Sequence, residues 1–179
     1  MILDMKYYGD EGLRKKCVPV EEITDEIRQI ARDLIETALE HDGAGLAAPQ
    51  IGYYYRIFVS RYADGADSEG WPIICPPQIY INPKLSSPSE EIVIHEEGCL
   101  SIPGIYEKIS RPRSITVEYM DLKGNIHTEV ATDWRARNIM HENDHLNGVL
   151  YIDRIHPKQR KKIESDLRSL KKKYNHPHK

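Results

Sequence analysis

A chain of 179 residues can bury roughly 70% of the surface its unfolded form exposes, so one domain with its own core needs no covalent staple. Twenty-five basic residues against 28 acidic ones leave a formal net charge of -3, which argues against bulk electrostatic attraction to DNA or to an anionic membrane. The sequence has no run of about 18 apolar residues, and its start, MILDMKYYGDEGLRKKC, lacks the apolar stretch of a signal peptide, so a cytoplasmic protein is expected.

Residues 24–41 carry Ile27, Ile30, Ala31, Leu34, Ile35 and Ala38 at helical spacing. Thr24 is placed to cap this helix, which ends near Asp42–Gly43. Strand-like runs rich in branched and aromatic residues follow at 55–60, 79–82, 91–96, 114–121 and 126–131, and Asp121–Asn125 is a hairpin turn between the last two. Residues 61–78 concentrate Gly, Pro, Ser and Asp and read as a long surface loop. A second helix is predicted from Thr132 or Asp133, as cap, to a stop at Gly148. A third, over 157–174, is strongly basic with a thin apolar stripe of Ile163, Leu167 and Leu170. The expectation is a single α+β catalytic domain over 1–179. Mostly antiparallel strands pack around a central helix, with an N-terminal helix and a C-terminal helix. The core would span 1–156, and 157–179 would form the basic C-terminal helix and tail.

Two segments invite chemical readings. Gly43-Ala44-Gly45-Leu46-Ala47-Ala48 matches the glycine pattern of dinucleotide-binding turns, but those glycines lead from a strand into a helix whose N-terminus faces the pyrophosphate. Here the glycines follow a helix and lead toward a strand, so the polarity is reversed. His141-Glu142-Asn143-Asp144-His145 is H-E-x-x-H inside the second helix. Residues four apart share a helix face, so both imidazoles can bind one ion, while Glu142 can reach water beside it.

A catalytic site of this kind needs a third protein ligand. The extended zinc-protease pattern would place histidine at position 151, where this chain has Tyr151, and the downstream Glu164 sits among lysines. Upstream, Cys99 lies where an apolar strand-like run meets Gly98 and a Pro103-Gly104 turn. A Cys-His-His set binds zinc and also suits iron(II), nickel and cobalt. The other two cysteines, Cys17 and Cys75, are read as small apolar residues.

Three segments in order, GAGLAAPQ at 43–50, Glu97-Gly98-Cys99-Leu100-Ser101 and HENDHLNG at 141–148, resemble those of the peptide deformylases. The resemblance runs from Gly9-Asp10 and Leu13-Arg14 to about Asp153. It implies hydrolysis of the formyl group from N-formylmethionyl nascent peptides by a metal held by Cys99, His141 and His145. Iron(II) would be the native ion, with zinc, nickel or cobalt able to substitute. Glu142 would be general base and acid, with Gln50 and the Leu100 N–H stabilising the oxyanion. Gly43, Ala44, Gly45, Leu46, Glu97 and Gly98 would bind the peptide, and Trp134 and Asn138 would line the pocket for the methionine side chain. The family's use of a C-terminal helix implies ribosome contact through the basic segment. Glu11 stands where proline is common in the family, Met140 where glutamine is common, and Asn138 where the residue is usually apolar.

Overall fold

A computed structural model describes residues 1–174; the end of the predicted tail, 175–179, lies outside the described residues. Helix α1 (Asp25–Glu40) begins where the Ile27 N–H donates to the Thr24 hydroxyl at 3.3 Å, the cap expected from sequence. Its stripe of Ile27, Ile30, Ala31, Leu34 and Ala38 is buried, with Ile35 half-buried beside it. The helix closes with Gly43 N–H on the Ala38 carbonyl at 2.8 Å and Asp42 N–H on that of Leu39 at 3.1 Å. This paired ending needs a left-handed residue, and Asp42, at φ +48°, supplies it.

A five-stranded antiparallel sheet contains β1 (Gly45–Ala47), β2 (Ile57–Tyr62), β3 (Ile74–Ser86), β6 (Ser114–Met120) and β7 (Ile126–Thr132), in the order β1-β2-β3-β6-β7. A separate antiparallel pair is formed by β4 (Ile92–Cys99) and β5 (Ile102–Pro112). The sequence reading has neither β1 nor β5. β1 is three residues long and buried throughout, so it shows no alternation. β5 carries Pro103, Gly104 and Pro112, which ordinarily mark breaks.

The predicted loop over 61–78 is also shorter in the structure. β2 continues to Tyr62 and β3 starts at Ile74, leaving 63–73 as the connection. Pro76 and Pro77 are tolerated inside β3 because the register with β2 shifts between Ser60 and Tyr62, while pairing with β6 begins only at Ile81. Neither proline then interrupts a regular ladder.

Helix α2 (Asp133–Leu146) packs against β1, β2, β6 and β7. Eleven of its 14 residues are buried although its sequence is polar, so its charged groups must find partners inside the protein. Thr132 precedes it as expected, but its side chain makes no capping bond. Its N–H instead donates to Asp64 Oδ1 at 2.8 Å. Gly148 ends the helix at φ +72°, where a Cβ would meet the Arg14 carbonyl oxygen at 2.4 Å.

Helix α3 (Pro157–Tyr174) lays Ile163 and Leu167, with half-buried Leu170, against Ile102, Ile105, Ile109, Leu150, Tyr151 and Ile152. Its described part is therefore docked on β5 rather than free. No described helix is long and apolar enough to cross a membrane. Leu167 is fully buried, so Leu167→Ala should destabilise the whole protein by about 2–5 kcal/mol. A urea midpoint lowered at constant slope would show this, and an unchanged midpoint would mean that α3 is not part of the core.

Candidate active site

Three side chains from two separate bodies meet at the end of β4. Cys99 is its last residue, and His141 and His145 stand four apart on one face of α2. Their ligand atoms all lie within 4.8 Å of one another, with Cys99 Sγ 3.4 Å from His145 Nε2. A tetrahedral ion with bonds of about 2.0–2.3 Å sets its donors roughly 3.5 Å apart, so the sulfur and imidazole donors fit a divalent metal. Among the described residues this cluster contains no fourth cysteine, histidine or carboxylate, which suits a catalytic site more than a closed structural one.

Behind the histidines lies a buried ionic network. Glu97 Oε1 meets His141 Nδ1 at 2.9 Å, leaving Nε2 for the cysteine side. The same carboxylate accepts from Arg111 Nε at 2.7 Å, Arg111 Nη2 at 2.9 Å and Arg137 Nη1 at 2.6 Å. Arg111 continues to Asp144 at 3.1 Å, and Arg154 donates twice to Asp144 at 2.6 Å. Burial works against the Glu97 charge, but the bonds from His141 and Arg111 outweigh it and hold the carboxyl far below its ordinary range. Burial, reinforced by the neighbouring positive groups, pushes His145 well below its usual value, which favours a neutral ring with a lone pair to offer.

Glu142 is 3% exposed, and its Oε2 has no hydrogen-bond partner among the described residues. Burial raises its pKa to about 7. Gln50 sits in a 3-10 turn (Ala48–Ile51) directly after β1. The Ala47 N–H donates to its Oε1 at 2.8 Å, which fixes the carboxamide so that Nε2 faces the cysteine turn. There Nε2 lies 3.0 Å from Ser101 Oγ and 3.5 Å from Cys99 Sγ. Leu100 occupies the two-residue turn between β4 and β5.

A cavity of about 350 Å³ opens onto these groups. Gly43, Ala44, Gly45, Glu97, Gly98, Trp134 and Asn138 line it, together with Gln50, Cys99, Leu100, His141 and Glu142. Leu46 does not; its side chain is fully buried in the α1 core, so only its backbone remains near the site. Glu97 lines the wall with its carboxylate oxygens turned toward His141 and the arginines. Two glycines are required by close approach. A Cβ on Gly45 would lie 2.4 Å from Glu142 Oε1, and one on Gly98 would lie 2.5 Å from the Tyr106 ring.

Several contributors went unread in the sequence. Arg137, one turn before His141, and Asp144, three residues after it, share the helix face that the motif pointed to, and this spacing was the available signal. Arg111 left none, since its strand was missed. Tyr151, at the position where a histidine ligand was sought, bonds the Ile105 carbonyl at 2.6 Å and stacks on His141 with centroids 6.1 Å apart. The 63–73 segment also takes part. The Gly70 carbonyl accepts from Trp134 Nε1 at 3.0 Å, and the His95 ring stacks on that indole with centroids 4.5 Å apart.

Comparison with known proteins agrees with this geometry. The family model described as polypeptide deformylase matches residues 2–161. A peptide deformylase of Fusobacterium nucleatum is 40% identical over 174 residues, covering 96% of this chain and 94% of that protein. The crystal structure of peptide deformylase from Ehrlichia chaffeensis superposes with a TM-score of 0.86 at 33% identity, over 97% of this chain and 98% of that one. A Met-Ala-Ser-bound class I type b peptide deformylase from Acinetobacter baumannii gives a TM-score of 0.80 at 29% identity, over 87% and 99%. With Gln50, the Cys99 turn and the H-E-x-x-H helix all inside the matched residues, the chain belongs to the polypeptide deformylase family.

Proposed function

We propose that this enzyme removes the N-formyl group from the formyl-methionine that begins nascent polypeptides, releasing formate and a free amino terminus. The observation that carries the reading is the placement of Glu142. It is a buried carboxylate with a partnerless oxygen, next in sequence to His141 and facing the cavity that Cys99 and Gln50 also line. Cys99, His141 and His145 would hold one divalent ion, iron(II) in its native form, with zinc, nickel or cobalt as substitutes. When bound, such an ion acts as a Lewis acid and makes water a nucleophile near neutral pH.

The residues of the chain divide the remaining work. Glu142 takes the proton of the attacking water and delivers it to the departing amine, a role open to a buried carboxylate whose Oε2 is bound to no other group among the described residues. Gln50 Nε2 and the Leu100 N–H donate to the oxygen on which charge develops, each worth about 3–4 kcal/mol in comparable sites. Glu97, Arg111 and Arg137 keep His141 in one orientation. β1 is an edge strand, so its outer edge can take the substrate backbone as an added strand, and Gly43 and Gly45 give that backbone room. Trp134 and Asn138, which line the cavity, receive the first side chain. Action on nascent chains implies a cytoplasmic enzyme near the ribosome, with the exposed lysines of α3 as its contact.

Glu142→Ala should keep its metal and lose formate release from formyl-Met-Ala-Ser by roughly a hundred- to ten-thousand-fold. Near-normal turnover by that variant would sink the assignment of the base. Exhaustive chelation should abolish activity, and Cys99→Asp should change which ion restores it, because a hard oxygen replaces a soft sulfur. Identical metal content and selectivity in Cys99→Asp would remove Cys99 from the ligand set.

Ribosome contact is better tested by charge reversal than by truncation, since truncation would also remove buried Ile163 and Leu167. Changing exposed Lys161, Lys162, Lys172 and Lys173 to glutamate should weaken co-sedimentation with ribosomes while leaving formate release from a free peptide intact. Unchanged co-sedimentation would assign those lysines to a solvated face.

A further inference from the structure

Asn138 is a buried polar group of α2 that takes no part in the Glu97 network. It lies one turn before Glu142, is 8% exposed and lines the cavity, and its Oδ1 has no hydrogen-bond partner among the described residues. The two side chains reach the same spot. A Cβ built on Gly45 would meet Glu142 Oε1 at 2.4 Å, and both the Glu142 carboxyl carbon and Asn138 Oδ1 at 2.8 Å. The bare backbone of β1 at Gly45 therefore makes room for both. Residues four apart share a helix face, so the carboxamide and the carboxylate are neighbours along α2 as well.

The pair is matched only one way round. A carbonyl oxygen set beside a carboxylate brings two acceptors together, which leaves a buried carboxamide unpaired and disfavoured. The O and N atoms of a carboxamide have the same shape, so half a turn about its last bond exchanges them. Nδ2 then faces Glu142, and a charge-assisted hydrogen bond replaces the mismatch. Three other donors on the cavity wall are already committed. Gln50 Nε2 is directed to Ser101 and Cys99, Arg137 bonds Glu97 and two backbone carbonyls, and Trp134 Nε1 bonds the Gly70 carbonyl.

On the deformylase reading, we infer that Asn138 is a positioning residue for the general base: its amide holds Glu142 Oε1 against β1, so that Oε2 is the oxygen turned to the reacting water. A carboxylate free to turn about its last bond presents either oxygen, in no fixed direction. Held by one oxygen, it meets the water with the other and has less freedom to lose in the transition state. Oε2 is the oxygen that no described group bonds, as this role requires. The carboxamide also lines the cavity, so its effect on the base has to be separated from any effect on the substrate's first side chain.

The test compares Asn138→Leu, similar in size but without a donor, with the unmodified enzyme, both loaded with metal to equal content. The substrates are formyl-Met-Ala-Ser and formyl-Gly-Ala-Ser, the second having no side chain to touch position 138. Asn138→Leu should lower kcat by roughly three- to tenfold on both peptides, the span one hydrogen bond supports, and change KM only for the methionyl peptide. A loss confined to the methionyl peptide, or one seen only in KM, would overturn the inference. In a Glu142→Asp background, whose shorter side chain withdraws the carboxylate from the amide, the same substitution should cost less than about twofold. Equal losses in both backgrounds would mean that Asn138 does not act through Glu142. A readout independent of turnover is the side-chain amide resonance of Asn138 in zinc-loaded protein, identified by its absence from Asn138→Leu. One of its protons should lie downfield and move upfield in Glu142→Ala, whereas a free-amide signal indifferent to Glu142→Ala would overturn the inference. Should Asn138→Leu not fold, Asn138→Ala serves the same comparisons. Failure of the unmodified enzyme to release formate from either peptide would overturn the deformylase reading, while the amide signal alone decides whether Asn138 holds Glu142.

Discussion

The position of Cys99 relative to the two histidines depends on one buried carboxylate. β4 and β5 share no strand pairing with the five-stranded sheet, yet the proposed ligand set has its sulfur on β4 and its nitrogens on α2. Glu97, two residues before the cysteine, bridges the gap by bonding His141 and Arg137 on the helix and Arg111 on β5. Arg137 strengthens the connection by donating to the carbonyls of Val93 on β4 and Ile109 on β5 at 2.7 and 3.0 Å. Removing Glu97 would leave two buried guanidiniums short of a partner, a loss of about 3–5 kcal/mol. It would also free the imidazole whose orientation the site needs. Stability and chemistry therefore meet in this carboxylate.

That constraint explains how a helix of polar sequence can be central to the fold. α2 buries Arg135, Arg137, Asp144 and both histidines, and nearly every polar atom among them is matched. Arg135 bonds Asp64 and Glu129, and Asp144 bonds Arg111 and Arg154. The exceptions are concentrated. Of the five buried side-chain atoms without a partner among the described residues, three belong to Asn138, Glu142 and His145. The other two, Ser60 Oγ and Arg61 Nε, lie on β2.

Much of this was legible in the sequence because local rules decided it. The capped α1, the α2 frame with histidines four apart, the Gly148 stop and the apolar stripe of α3 each follow from spacing along a single helix, and all four stand in the structure. Strands whose pairing is non-local were harder to read. β1 is too short to alternate, and β5 carries breaker residues that its two-stranded pairing tolerates. The site divides in the same way. The residues proposed as ligands and base lay in motifs, whereas Arg111 and the Gly70 carbonyl became neighbours only through folding. Leu46 is a motif residue whose side chain faces the α1 core, so a part in peptide binding falls to its backbone.

The helix also couples two properties that could have been separate. Trp134, Asn138, His141 and His145 recur every three or four residues along α2, with Glu142 next to His141, so the proposed first-residue pocket and the proposed metal-binding face lie on one helix. The helix is fixed at its start by Asp64 and Arg113, which bond Thr132 and Asp133. Near its end Asp144 holds it through Arg111 and Arg154. A substitution that rolled the helix to enlarge the pocket would carry the imidazoles with it and disturb the distance to Cys99. The 63–73 segment is placed differently, since its Gly70 carbonyl bonds the indole of Trp134 without touching the proposed metal-binding face.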